Sequence, residues 1–199
     1  ALVIGHQQQR ALVPREPDAV AGFTWPFDAR HHHAQRQAAF RFQVAGAFPN
    51  APGVLVLSRQ EDALWSPTFQ TTRADGMAAH FPAAWAGKPV VIRFWADWCK
   101  YCEGEMKSIE TVYLRLKSRG LEVLAVNAGQ DRKTVTSFMA KLGVSYPALL
   151  DENSAIAKRY GVVGLPTTYF VDAKGIVRVK LIGESDEAAF ERAALAILP

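Results

Sequence analysis

The stretch Val90-Val91-Ile92-Arg93-Phe94-Trp95-Ala96-Asp97-Trp98-Cys99-Lys100-Tyr101-Cys102 holds both cysteines of the chain and the point where a strand pattern gives way to a helical one. Val90 to Phe94 is rich in β-branched and aromatic residues and reads as a buried strand. Beyond it, Cys102, Met106, Ile109, Tyr113 and Leu116 recur at helical spacing, which predicts a helix beginning at or near Cys99 and ending by Gly120. A cysteine at a helix start meets unpaired amides and the positive end of the macrodipole, and both favour a thiolate. Cys102 lies almost one turn on, within disulfide reach. On its own, a C-x-x-C pair at this place fits redox work or half of a zinc site.

The rest of the chain narrows the classes. Its 199 residues leave room for one ordinary domain with an appendage, or for two small domains. A hydrophobic content of 49% with 21% charged residues describes a folded globular chain. The net charge of +4 is spread without a basic run interleaved with aromatics, which argues against a nucleic-acid partner. No apolar run approaches the roughly 18 residues of a membrane span. Ala1-Leu2-Val3-Ile4 followed by Gln7-Gln8-Gln9-Arg10 reads equally as the tail of a removed export signal or membrane anchor and as an ordinary frayed terminus.

Residues 1–36, with Pro14, Pro17, Gly22 and Pro26, show no sustained period, and a flexible lead is expected there. His31-His32-His33 offers imidazoles that, with His6 or His80, make a copper or zinc site conceivable. Three adjacent histidines cannot all face one ion from a regular element, so a solvated loop is the better reading and no metal is assigned. Phe40, Phe42 and Val44 alternate with polar residues, Val54-Leu55-Val56-Leu57 is apolar, and Pro49 to Gly53 is turn material; a β-hairpin is expected. Further on, Phe69–Thr72 and Met77–His80 flank Asp75-Gly76, a second hairpin signal. Leu121–Asn127 and Ala148–Leu150 read as strands, with a helix between them capped by Asp131 and closed by Gly143. A brief helix runs from Ser154 to Tyr160, Pro166–Val171 and Ile176–Ile182 form a hairpin, and Ser185 is expected to cap a final helix carrying Phe190, Ala194 and Leu198.

Strand–Trp98-Cys99-x-x-Cys102–helix, followed by Gly161-Val162-Val163-Gly164-Leu165-Pro166-Thr167-Thr168 and a terminal hairpin and helix, resembles thioredoxin. The early hairpin and the helix-strand insert at about 131–150 are similar to the TlpA-like branch of exported thiol-disulfide oxidoreductases. The resemblance covers about residues 64–199 and leaves residues 1–63 as an N-terminal extension. It implies an α/β, three-layer fold with a central mixed β-sheet, preceded by a small β-containing extension. It also implies that Cys99 is the exposed nucleophile, Cys102 the buried resolving thiol and Pro166 a cis-proline leaving the Leu165 backbone free for a substrate strand. Trp98 would shield the sulfurs, and Glu105 would exchange a proton with Cys102. A zinc site would need a second ligand pair, which the sequence does not supply. Nor is there a Thr/Ser-x-x-Cys peroxidatic motif.

Three positions depart from the family pattern. Arg93 stands where thioredoxins keep a buried aspartate, and a cation pointing at Cys102 would stabilise a thiolate. Lys107 replaces the proline that kinks the first helix. Lys100-Tyr101 is neither of the family's familiar dipeptides, and Lys100 adds positive charge beside Cys99. The expected activity is periplasmic reduction of protein disulfides without a cofactor, fed by a membrane or soluble thiol donor. A membrane anchor outside this chain and a homodimer through residues 1–63 belong to the same expectation. A dimeric isomerase or oxidase, and a non-catalytic redox-sensing or copper-binding module, are the alternatives.

Overall fold

The computed structural model describes residues 56–57 and 64–199. The expected strand at Phe40–Val44, the turn at 49–53 and His31–His33 lie outside the described residues. The composition of the central strands demands burial. β4 (Val90–Trp95) is buried at every position, and β5 (Glu122–Ala128) runs parallel beside it with Trp95 opposite Asn127. β6 (Ala148–Asp151) continues parallel beyond β5. On the other flank, β7 (Thr167–Val171) is antiparallel to β4, β8 (Val177–Ile182) to β7, and β1 (Val56–Leu57) to β8. The six-stranded order is β1-β8-β7-β4-β5-β6. Continuous apolar runs in β4 and β5 are what strands covered on both faces require.

Alternation along β4 sends Val91 and Trp95 to one face and Val90, Ile92 and Phe94 to the other. The first face is covered by α1 (Cys102–Leu116), α2 (Arg132–Leu142) and α4 (Glu187–Leu195) through Met106, Ile109, Val135 and Phe190. The second lies under α3 (Ala155–Arg159) and the hairpin of β2 (Phe69–Thr72) and β3 (Ala78–Phe81). There Phe69 stacks on Phe81 at 5.2 Å, and Tyr160 meets Tyr169 edge-on at 5.2 Å. Burying each such ring contributes about 1.5–3 kcal/mol. The three layers expected from the sequence are therefore present over residues 64–199, and the helix-strand insert is α2 with β6.

The β2–β3 hairpin does a second job. Gly76 takes the positive φ (93°) its turn needs, and Asp75 Oδ1 accepts from the Met77 amide. This turn sets Arg73 against Leu149, and the Ala74 amide donates to the Ala148 carbonyl at 2.9 Å. Arg132 Nη1 then donates to the carbonyls of Arg73 and Ala74. The outer edge of β6 is thereby covered.

Two local expectations need correction. The first helix starts at Cys102, because the chain from Ala96 makes tight turns in which Cys99 N donates to Ala96 O and Cys102 N to Cys99 O. Cys99 thus precedes the regular helix. At α4 the cap is Asp186, not Ser185: its extended backbone (φ −80°, ψ 166°) aims its carboxylate at the Ala189 amide, 2.6 Å away. Lys107 leaves α1 unbroken and pairs with Glu103 one turn earlier at 3.1 Å. Among the described residues no helix is long and apolar enough to cross a membrane.

Asp131 caps α2 by accepting from the Thr134 amide at 2.8 Å, and hydrogen bonding from Thr134 holds its carboxyl below the usual value. A group whose folded pKa is depressed contributes stability above its unfolded pKa and loses it as pH falls. Asp131→Ala should therefore lower the melting temperature at neutral pH. The difference from wild type should vanish in melts recorded below the ordinary carboxylate range.

Candidate active site

β4 delivers the chain to the site and the turns after Ala96 hold it there. Cys99 and Cys102 are joined as a disulfide, with Cα atoms 5.3 Å apart. Cys102 is wholly buried, whereas Cys99 keeps 6% of its surface accessible, so the nucleophile expected to be exposed is only narrowly so. Trp98 was expected to shield the sulfurs. The residue is 70% exposed, and Tyr101 is half-exposed. Lys100 Nζ sits 5.2 Å from the centre of the Tyr101 ring, a cation–π distance.

The second chain segment comes from β7. Its last pair with β4 is Phe94 opposite Thr167, so Leu165 and Pro166 emerge at the end of the sheet where the cysteine loop begins. The Leu165–Pro166 peptide is cis. Thr167 Oγ1 donates to Gly164 O and Gly183 N to Pro166 O, fixing this loop. Leu165 packs against the cluster that contains both cysteines, and its backbone takes no hydrogen bond among the described residues.

The helix that begins at Cys102 also holds one end of a buried charge pair. Strand alternation points Arg93 at α1, where Nη2 donates to Glu105 Oε2 at 2.6 Å. Nη1 donates to Thr168 Oγ1 at 2.8 Å, the residue directly opposite on β7. The other carboxylate oxygen of Glu105 accepts from the amide and hydroxyl of Ser185, at 2.8 and 2.9 Å. The expectations for these residues change accordingly. Arg93 is neutralised by Glu105 and is not a lone cation facing Cys102, and Glu105 is neither solvated nor loose. Tyr146 fixes the same helix, donating to Met106 O at 2.8 Å; burial pushes its phenol far above the usual range and keeps it a donor.

Sequence reasoning missed Thr168 and Ser185 as partners, and it missed a polar cluster on the other side of the loop. Gln130 Oε1 accepts from the Asp97 amide and from Asn127 Nδ2, both at 2.9 Å, while its Nε2 donates to Asp97 Oδ1 at 2.5 Å. No spacing rule links Gln130 to Asp97; only the parallel register of β4 and β5 brings them together. Among the described residues no group of three or more His, Cys, Asp or Glu side chains is arranged to hold a metal.

The chain resembles known proteins in sequence and fold. The model of the AhpC/TSA family matches residues 66–180. The thiol-disulfide oxidoreductase ResA of Geobacillus kaustophilus is 34% identical over 134 residues, covering 67% of this chain and 76% of the relative. Among solved structures, a thiol:disulfide interchange protein of the thioredoxin family from Chlorobium tepidum aligns with a TM-score of 0.62 at 26% identity, covering 71% of this chain and 99% of that one. A secreted disulfide oxidoreductase of Mycobacterium tuberculosis shares the fold with a TM-score of 0.58 at 24% identity, over 64% of this chain and 95% of its own.

Removing one partner of a buried pair strands the other, at a cost of about 3–5 kcal/mol. Urea unfolding of oxidised Arg93→Met should show a loss of that order. Arg93→Met combined with Glu105→Gln should lose less than Arg93→Met alone, since the remaining amide oxygen still accepts from Ser185.

Proposed function

We propose that this chain, a thiol–disulfide oxidoreductase that belongs to the AhpC/TSA family, reduces protein disulfides outside the cytoplasm. In the cycle, the Cys99 thiolate attacks one sulfur of a substrate disulfide and expels the other as a thiolate, which takes up a proton. Cys102 then attacks Cys99 Sγ, the mixed disulfide breaks, and the second substrate thiol leaves. The substrate gains two electrons and two protons, and the Cys99–Cys102 disulfide forms. An upstream thiol donor, soluble or membrane-bound, returns the pair to the dithiol.

The burial difference supports the division of labour: only Cys99 is reachable from outside. The backbone of Leu165, unpartnered among the described residues, offers an amide and a carbonyl to an extended substrate segment, in the manner of strand addition. Trp98 and Tyr101 provide the exposed apolar rim on which such a segment rests. Glu105, held by three donors, serves to position α1.

The Arg93–Glu105 pair carries the choice of direction. Forces that stabilise the Cys99 thiolate favour the dithiol and make a protein of this kind more oxidising. Arg93 is spent on Glu105, Lys100 lies over the Tyr101 ring, and Cys99 sits ahead of the regular helix. With those contributions reduced, the disulfide is favoured and the dithiol is the better electron donor. Its substrates on this reading are the disulfides of proteins in an oxidising compartment, where such bonds form and persist.

Equilibration with glutathione tests the direction. A potential near −270 mV is expected, and one near −120 mV would make the protein an oxidant. In the reduced protein, iodoacetamide should modify Cys99 first, because Cys102 is wholly buried. Cys102→Ser should accumulate a mixed disulfide through Cys99, and Cys99→Ser should form none.

A further inference from the structure

The cysteine loop is held from the side by a single amide. Gln130 follows Gly129, whose positive φ (86°) turns the chain at the end of β5 and whose amide donates to Asp151 O at 2.9 Å. From there the carboxamide reaches Asp97, two residues before Cys99, and grips it at two points: the backbone N–H and the side-chain carboxylate. The orientation of the amide is set by its partners, since both groups facing Oε1 are N–H donors and the group facing Nε2 is a carboxylate. Asn127 anchors the clasp. It is wholly buried, lies opposite Trp95 in the sheet, and donates to the same oxygen.

We propose that Gln130 is a positioning residue for disulfide exchange, clasping Asp97 so that Cys99 stays where Cys102 reaches it and thereby setting the dithiol–disulfide equilibrium. The two sulfurs are held by different means. Cys102 is the first residue of α1, fixed by the buried Glu105 and Tyr146 contacts. Cys99 lies outside that helix, in a loop whose own backbone restraints are two turn bonds, from Cys99 N to Ala96 O at 3.2 Å and from Cys102 N to Cys99 O at 3.0 Å. Releasing the clasp therefore loosens Cys99 relative to a stationary Cys102. Ring closure is intramolecular, and its equilibrium constant scales with the effective concentration of one thiol at the other. A looser loop lowers that concentration and makes the disulfide easier to reduce.

The proposal rests on the thiol–disulfide cycle, and glutathione equilibration of the wild type establishes that cycle separately. The reaction read is dithiol plus glutathione disulfide giving protein disulfide plus two glutathiones, with two electrons and two protons passing to glutathione. Gln130→Met, close in shape but without the amide, should lower this equilibrium constant about three- to tenfold; tenfold is about 30 mV less negative. Gln130→Glu keeps the acceptor but sets a carboxylate against Asp97, and should lower it at least as far. Combining Gln130→Glu with Asp97→Asn exchanges donor and acceptor across the clasp and should return the constant to within about twofold of wild type, by the same effective-concentration argument. A wild-type constant in Gln130→Met would overturn the proposal, even alongside a lowered melting temperature. So would a double variant no closer to wild type than Gln130→Glu alone.

Discussion

The buried ion pair between Arg93 and Glu105 ties the central strand to the helix that carries Cys102. It also sets much of the chemistry above it. An arginine inside a sheet is costly unless its charge is paired. Glu105 meets the charge, Thr168 takes a second donor and Ser185 completes the carboxylate, while the buried Nε has no partner among the described residues. Four segments meet at this one contact: β4, the first turn of α1, the start of β7 just past Pro166, and the residue before the α4 cap. Replacing the buried aspartate of thioredoxins with Arg93 therefore does not invert the local charge. It moves the acid from the strand to the helix and adds a base to balance it.

That arrangement explains which parts of the chain were legible beforehand. Val90–Phe94 as a strand, Asp131 as a cap and Asp75-Gly76 as a turn are local properties, written in composition and turn chemistry. The cysteine pair and Pro166 were legible for the same reason, as short motifs on a known framework. Arg93 was recognisable as unusual, but its effect on Cys99 depends on a partner twelve positions away in the chain, and Glu105 alone looks like any acid in a first helical turn. Ser185 was misplaced because two adjacent capping residue types compete, and the losing one is drawn to Glu105. The starting point of α1 was misjudged because helical periodicity does not distinguish a turn from the helix it leads into.

Gln130 belongs to a different class of omission. Its contact with Asp97 depends on the register of two parallel strands and on one glycine that turns the chain after β5. Neither residue type nor spacing marks it. The loop that carries the chemistry is thus restrained by two kinds of contact: a buried ion pair on the helix that begins at Cys102, and a half-buried amide holding the approach to Cys99.

The contact of Arg73 and Ala74 with β6 has a consequence for behaviour at high concentration. An open strand edge is a template for another molecule's strand. Here the backbone of β6 is already engaged by the hairpin turn, and Arg132 takes the carbonyls that turn would otherwise present. The sheet is closed to growth on that side, so the hairpin protects the protein against edge-to-edge aggregation through β6.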